Sequence, residues 1–228
     1  YANPIHEERV AKFLRQKRPH LSVCMSAKVC PEVREYERLS TTCANAYVQP
    51  LMARYLTALE SEFAKLGIAC PLLLMMSSGG LTTLKVGIEY PIRLIDSGPA
   101  GGAILAGEIA LSCGATNALS FDMGGTTAKG TIIKDQIPMR RDEFEVAHVF
   151  RSRKGSGFPL KIPVVDMIEI GSGGGSIAQV DERGLISVGP QSSGSAPGPA
   201  CYDQGGQMAT LTDANLLLGY LDKDLSFL

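Results

Sequence analysis

Tryptophan is absent, histidine occurs only three times, and none of the six cysteines forms a C-x-x-C pair. The cysteines stand at 24, 30, 43, 70, 113 and 201, too far apart for a zinc framework or a small disulfide scaffold. Most sit in apolar runs such as Ala69-Cys70-Pro71-Leu72, where a thiol packs as a small hydrophobe. The pattern reads as a reducing cytoplasm. His6-Glu7 begins like a zincin, but Val10 stands where H-E-x-x-H needs its second histidine. An excess of either charge is also missing. Lys+Arg number 22 and Asp+Glu 23, a net charge of -1 with no electrostatic footprint for nucleic acid or an anionic membrane. No apolar run approaches the roughly 20 residues of a membrane span, and no secretory signal opens the sequence.

What the chain does have is glycine, 25 in 228 residues and many of them clustered. Its 45% hydrophobic and 20% charged residues are ordinary for a packed protein and exclude a disordered tail. The length predicts one large domain or two small ones, burying about 70% of the unfolded surface without disulfides.

Hydrophobic spacing predicts an amphipathic helix over Ile5 to Arg18, with Val10, Phe13 and Leu14 on one side, and then a strand over Leu21 to Val29. Pro31 opens a short charged helical segment, Glu32 to Arg38. Ser40-Thr41-Thr42 offers an N-cap for a long helix from about Thr42 to Leu66, closed by Gly67. Pro50 predicts a kink or a break there, and the stripe Tyr47, Leu51, Tyr55, Leu59 and Phe63 predicts a core-facing side. Pro71 to Met76 reads as a fully buried strand, and Ile92 to Ile95 as another. A small-residue helix follows from Ser97 to about Leu111. Leu119 to Met123, a glycine turn and Thr131 to Ile133 then form a β-hairpin. Ile162 to Ile170 is strand-like and ends in a glycine run. A hairpin turns at Asp181 to Gly184, a Gly/Pro/Ser loop fills Gly189 to Gly206, and Thr212-Asp213 caps a last helix, Ala214 to Leu221. Alternating strands and helices indicate α/β or α+β architecture.

The sharpest chemical signal is Asp122-Met123-Gly124-Gly125-Thr126-Thr127. Consecutive glycines let backbone N–H groups converge on an anion, and the threonines add hydroxyl donors. The acid would repel phosphate, so it fits only as a Mg²⁺ holder through water or as the group orienting a nucleophile. The competing reading is a tight hairpin whose Asp caps its turn. Gly171-Ser172-Gly173-Gly174-Gly175-Ser176 has two readings as well: it lines a cleft through its amides, or it is a strand end laid against another backbone. Asp166 and Glu169, three apart on a strand, face opposite ways and do not share a metal. Cys201 has no histidine near in sequence to act as base and reads as packing or cleft lining. Arg151, Arg153 and Lys154 read as a solvated basic loop.

Ser97 to Gly107 followed by Leu119 to Lys129 resembles the second half of an actin/sugar-kinase-type ATPase, where a connecting helix precedes the second phosphate hairpin. One branch is closer. Arg34 to Arg38, Asn45 to Val48, Ser97 to Gly102, Phe121 to Lys129, Glu169 to Ile177, Asp181, Gly198 to Tyr202 and Thr212 to Leu216 resemble the hydantoinase A / 5-oxoprolinase family, in order along the chain. The resemblance implies an α/β, actin-like ATPase fold (sugar kinase/heat-shock chaperone/actin), here partial, with a mixed sheet and flanking helices. Residues 1–96 would hold the end of a first lobe and the long connecting helix, and 97–228 part of a second lobe. It implies ATP and Mg²⁺, a cyclic amide such as hydantoin, N-methylhydantoin or a 5-oxoproline-like lactam, and a second, hydantoinase B-type subunit. Asp122 would be catalytic and hold the metal. Gly124, Gly125, Thr126, Thr127 and Lys129 would meet the nucleotide, with Gly173, Gly174 and Gly175 adding backbone contacts. The family's first D-x-G-G-T hairpin and its G-G-A-G-P segment are not matched, so the expectation is an internal piece of a larger subunit, inactive alone. An acetone/acetophenone-type carboxylase subunit and a non-catalytic nucleotide-binding or assembly module remain as alternatives.

Overall fold

The computed structural model describes residues 3–147 and 155–224. Arg151, Arg153 and Lys154, read above as a basic loop, lie outside them. Helix α1 (Ile5–Lys17) forms where its periodicity places it, yet Val10 and Phe13 are exposed and only Ala11 is buried. It is held instead by Glu7, whose carboxylate accepts from the Ser26 hydroxyl (2.7 Å) and the Ala27 amide (3.1 Å). Those two bonds cap the single turn α2 (Ser26–Val29). Desolvation pushes the Glu7 carboxyl up, but these hydrogen bonds outweigh it and leave its pKa below the usual value. The strand expected over Leu21 to Val29 is therefore not formed: Leu21 to Met25 pairs with no strand, and Glu7 draws the remainder into a helical turn.

Helix α3 (Glu35–Lys65) starts before the Ser40-Thr41-Thr42 cluster rather than after it, and it continues across Pro50. The three hydroxyls turn back onto carbonyls one turn earlier, at 2.6–3.0 Å, as Ser and Thr do inside helices. Ser40 also donates to the Pro159 carbonyl (2.6 Å), and Thr41 accepts from the Lys161 amide (2.8 Å). The cluster is a tertiary pin, so tertiary partners override its capping propensity. Asn45, fully buried, accepts from the Ile92 amide (3.2 Å) and donates to the Glu89 carbonyl (3.1 Å). The aromatic stripe behaves otherwise than expected: Tyr47 is 87% exposed, and Leu51 and Tyr55 are also exposed. Gly67 closes the helix with positive φ, and the Ile68 amide returns to the Phe63 carbonyl.

Strands β1 (Leu73–Met75) and β2 (Leu81–Thr83) make an antiparallel ribbon that is half-exposed rather than fully buried. Helix α4 (Leu84–Glu89) is capped by the Thr83 hydroxyl, and Pro91–Leu94 is a 3₁₀ turn where a strand was expected. Helix α5 (Ser97–Ser112) packs through Ala100, Ala103, Gly107 and Ala110. A Cβ at Gly107 would lie 2.6 Å from the Gln136 carbonyl oxygen, so the close approach read from small residues is real.

Strands β3 (Asn117–Met123) and β4 (Ala128–Lys134) form the expected hairpin, extended at one edge by β5 (Ile137–Pro138). Short strands β6 (Arg140–Arg141), β7 (Phe144–Val146), β8 (Phe158–Leu160) and β9 (Val164–Val165) pair as β6–β9 and β7–β8. Strand β10 (Ile168–Ile170) then lies antiparallel to β4. Strands β11 (Ser176–Val180) and β12 (Ile186–Ser192) turn at Asp181, and α6 (Leu211–Leu217) starts three residues before Ala214, at a Thr210–Asp213 capping box. The result is a mixed α/β structure with small sheets. Its main core joins Val29 and Ile92 to Phe144, Leu160, Ile162 and Val164.

Alternation in β3, β4 and β10 sorts the sheet faces. Thr131 and Ile133 are buried on the face that α5 covers. On the other face Leu119, Phe121, Met123, Ile132, Ile168 and Ile170 are 39–68% exposed. Replacing Asn45 by Ala strands the buried Ile92 amide and should cost about 1–3 kcal/mol. Urea melting is expected to show a lower midpoint with an unchanged slope.

Candidate functional site

The hairpin turn between β3 and β4 is built so that its carbonyls face the protein and its amides face out. The Gly124 carbonyl accepts from the Gly174 amide (2.9 Å), and the Gly125 carbonyl accepts from the Gly175 amide (2.7 Å). The C=O and the following N–H share one trans peptide plane and point in opposite directions. Pinning those two carbonyls therefore aims the N–H groups of Gly125 and Thr126 away from the glycine run. Among the described residues no protein group accepts from the amides of Gly125, Thr126 or Thr127. The Gly124 amide is used within the turn, donating to the Thr127 carbonyl at 2.9 Å. Gly124, Gly125 and Thr126 are exposed, and Thr127 is half-buried.

Gly173 to Gly175 reach the hairpin from behind, as a strand end against another backbone. Their amides are occupied: Gly173 donates to the Ser176 hydroxyl (2.8 Å), and Gly174 and Gly175 to the turn. Hence these three amides are not open to a ligand, and the run supports the turn. A Cβ at Gly173 would lie 2.6 Å from the Gly124 oxygen and from the Thr126 N and C atoms. Thr212 fastens the other side of the run, donating to the Gly174 carbonyl through both its amide and its hydroxyl at 2.8 Å.

Asp122, Lys129 and Glu169 occupy one cross-strand row of β3, β4 and β10 and share a face. Asp122 is exposed at the end of the hairpin. Lys129 bonds Asp96 at 2.5 Å, a residue the sequence reading passed over. Asp96 immediately precedes α5 in a left-handed conformation (φ 54°) and, instead of capping the helix, reaches across to the hairpin. An acid directly before Ser97-Gly98-Pro99 was its available signal. The strand expected over Ile162 to Ile170 is broken into β9 and β10, so Asp166 lies between them rather than on one strand with Glu169, and it pairs with Arg141 (3.4 Å). Among the described residues no group of three or more His, Cys, Asp or Glu could hold a metal.

Cys201 lies beside Asp213. Burial, a hydrogen bond to Asp213 and that carboxylate's charge push the thiol up to about 11, so it is a protonated packing group at neutral pH. Asp213 accepts from the amides of Cys201 (2.7 Å) and Thr210 (2.8 Å) and from the Thr210 hydroxyl (2.7 Å), tying the Gly/Pro loop to α6. Desolvation raises its carboxyl, but the hydrogen bonds prevail and lower it to about 2. All six cysteines are free thiols, and among the described residues no helix is long and apolar enough to cross a membrane.

An exposed amide turn braced by glycine backbone, with an acid and a lysine in one cross-strand row beside it, thus stands on a mixed α/β scaffold. The chain belongs to the hydantoinase/oxoprolinase family, whose signature it matches over residues 38–227. It is 39% identical to the caprolactamase subunit alpha of Pseudomonas jessenii, with 96% of this chain and 30% of that protein covered. The structure of that ATP-dependent caprolactamase superposes with a TM-score of 0.71 at 37% identity, over 96% of this chain and 30% of the other. The acetophenone carboxylase gamma subunit of Aromatoleum aromaticum is 33% identical over 98% of this chain and 30% of its own length. A nucleotide-free acetone carboxylase structure gives a TM-score of 0.73 at 26% identity, covering 96% and 30%. The chain thus spans about a third of the length of these relatives.

Two outcomes test the site's construction. Gly173→Ala forces a Cβ into hairpin backbone and should cost about 1–3 kcal/mol. Gly125→Ala, with open space at its Cβ, should stay within about 0.5 kcal/mol; thermal melting with hydrogen exchange at Met123 and Ala128 reads both. The stabilisation from Asp213 is fully present above the ordinary carboxylate value of 3.8 and is lost as pH falls toward about 2. Acid unfolding of Asp213→Asn should lack that segment of the curve.

Proposed function

We propose that this chain is the part of an ATP-dependent cyclic-amide hydrolase subunit that grips the terminal phosphates of ATP, within a partial actin-like ATPase fold. The observation that carries the proposal is the set of unclaimed amides at Gly125, Thr126 and Thr127, the first two aimed outward by the bonds from Gly174 and Gly175 to the carbonyls behind them. Such a turn donates to phosphoryl oxygens without side-chain rearrangement. The Thr126 and Thr127 hydroxyls extend the donor set, and Gly124 shapes the turn. Lys129 places positive charge in the row next to it, held by Asp96. Gly173, Gly174 and Gly175 act behind the turn, by keeping its peptide planes oriented.

Asp122 is the exposed acid at the mouth. A single carboxylate is an adequate protein contribution to Mg²⁺, which keeps several waters and binds chiefly through phosphates. Bound there, the ion would neutralise charge on the phosphoryl oxygens. The overall reaction consumes ATP, the cyclic amide and two waters, and yields ADP, phosphate and the ring-opened amino acid. Phosphorylation of the carbonyl oxygen makes an unreactive amide electrophilic, the ring C–N bond breaks, and its nitrogen takes the proton. We assign residues 1–96 and 97–228 to portions of two lobes, and water addition to a partner subunit of hydantoinase B type.

A second reading, an ATP-dependent ketone carboxylase subunit, draws on the likeness to the acetophenone and acetone carboxylases. Whether ATP turnover by the complete complex depends on lactam or hydantoin, or on ketone plus bicarbonate, separates the two. In the full-length subunit, Asp122→Asn should keep nucleotide affinity within a few-fold and lower substrate-dependent ATP turnover by about 100-fold or more. Unchanged turnover removes Asp122 from the mechanism.

A further inference from the structure

Three carboxylates surround Lys129, and its ammonium sits on the one that the sheet does not supply. Strand alternation puts Lys129 on the face shared with Thr131 and Ile133, which α5 covers. Asp122 and Glu169 flank it there, directly opposite in the β3–β4 and β4–β10 registers. Side chains so placed have Cβ atoms roughly 4.5–5.5 Å apart, and opposite charges in that relation attract. Lys129 nevertheless pairs with Asp96, at the entry to α5, and its side chain is only 15% exposed. Asp96 makes that contact from an unfavourable position. Its backbone is left-handed (φ 54°, ψ 25°), a conformation costly for side-chain-bearing residues and least so for Asp and Asn. An acid at a helix start ordinarily accepts from the first-turn amides, and Asp96 makes no such cap. Both features follow if the carboxylate serves the hairpin instead of the helix. A cavity of about 1010 Å³ opens on this side, lined by Asp96, Lys129 and Glu169 with Phe144, Pro159 and Val164 among others, while Asp122 is not in its lining. Pairing with Asp96 thus keeps the ammonium in the cavity wall, away from the hairpin mouth.

We infer that Asp96 is a positioning residue: it holds the Lys129 ammonium clear of Asp122 and so leaves that carboxylate open to a divalent cation. The inference rests on the cation role proposed for Asp122. Without Asp96, the partners left to the ammonium are the two cross-strand acids. Asp122 is the favoured one, because β3 and β4 pair over seven residues and β4 and β10 over three. Aspartate also has less side-chain freedom to lose than glutamate. An ammonium seated on Asp122 occupies its oxygens and cancels the charge that draws a cation.

The test uses the complete subunit saturated with ADP, so that changes in nucleotide affinity drop out. Mn²⁺ is the probe, its binding read by electron paramagnetic resonance. Asp96→Gly removes the carboxylate and accepts the left-handed backbone. Its crystal structure should show the Lys129 ammonium within about 4 Å of the Asp122 carboxylate. Its Mn²⁺ affinity should fall at least about fivefold, the effect of one unit charge about 4 Å away in the high-dielectric limit. Asp96→Asn, which also suits that backbone, should weaken Mn²⁺ in the same direction. The double variant Asp96→Gly, Lys129→Met lacks the tie between α5 and the hairpin just as Asp96→Gly does, yet should bind Mn²⁺ within about twofold of Lys129→Met alone. The inference is overturned by an ammonium that stays clear of Asp122 or settles on Glu169. Unchanged Mn²⁺ affinity in Asp96→Gly overturns it too, as does a loss that persists in the double variant, which marks a merely structural tie. Absence of ADP binding, or Mn²⁺ binding that Asp122→Asn leaves intact, overturns the reading of the hairpin itself with Asp96 and Lys129 untouched, and the purpose assigned to Asp96 goes with it.

Discussion

The site depends on two backbone hydrogen bonds, from the amides of Gly174 and Gly175 to the carbonyls of Gly124 and Gly125. A turn left to itself can rotate its peptide planes, and with glycine at both positions little resists that rotation. The glycine that makes the turn permissive would also make it indefinite. The second glycine run removes the freedom by occupying the carbonyl side, and planarity of the peptide unit then decides where the amides point. Glycine is required in the support as well, because a side chain at Gly173 would strike the backbone it braces. Thr212 holds the support in turn, and α6 starts under its own capping box at Thr210 and Asp213. Order passes from a helix cap through a glycine strand to a turn, all by hydrogen bonds.

A similar logic anchors the other half of the chain. Helix α3 meets β8 and the 3₁₀ turn through Ser40, Thr41 and Asn45 rather than through a hydrophobic stripe. Buried polar groups that are fully satisfied specify one arrangement more strictly than apolar contacts do. They fix the register of Pro159 and Lys161, and so the wall of the cavity that β7, β8 and β9 share. The exposed Tyr47, Leu51 and Tyr55 and the bare sheet face at Phe121 and Ile168 show the reverse condition: apolar positions whose partners are not among the described residues.

The hairpin was legible because it is local: apolar strand, acid, glycines, threonines and returning strand are contiguous, and the family resemblance rests on the same contiguity. The helices α1 and α5 and the turn at Asp181 were legible for that reason too. What failed was non-local. Leu21 to Val29 has strand composition but no neighbouring strand, while Glu7, some 20 residues earlier, caps it as a helical turn. Ser40-Thr41-Thr42 carries the chemistry of a cap, and only the arrival of β8, over 100 residues later, makes its hydroxyls useful inside a helix. Asp96 escaped notice because its partner is 33 residues away in sequence. The glycine run at Gly173 allowed two readings since composition tells that a backbone approaches closely, not which backbone.

Electrostatics then constrains what the exposed amides can accept. Around the single ammonium of Lys129 stand Asp96, in contact, and Asp122 and Glu169, its neighbours in the strand register. Two carboxylates in the row and a third, Asp96, beside it outweigh the one lysine, and an arriving polyphosphate would add more negative charge. Unclaimed amides supply partial positive charge only at short range, so they orient phosphoryl oxygens without neutralising them. On the proposed reading, a phosphate-bearing ligand would have to bring a cation of its own to this row, and Asp122, exposed and nearest the turn, would be the acid to meet it. One arrangement of acids about Lys129 thus sets the charge that a phosphate-bearing ligand would have to supply.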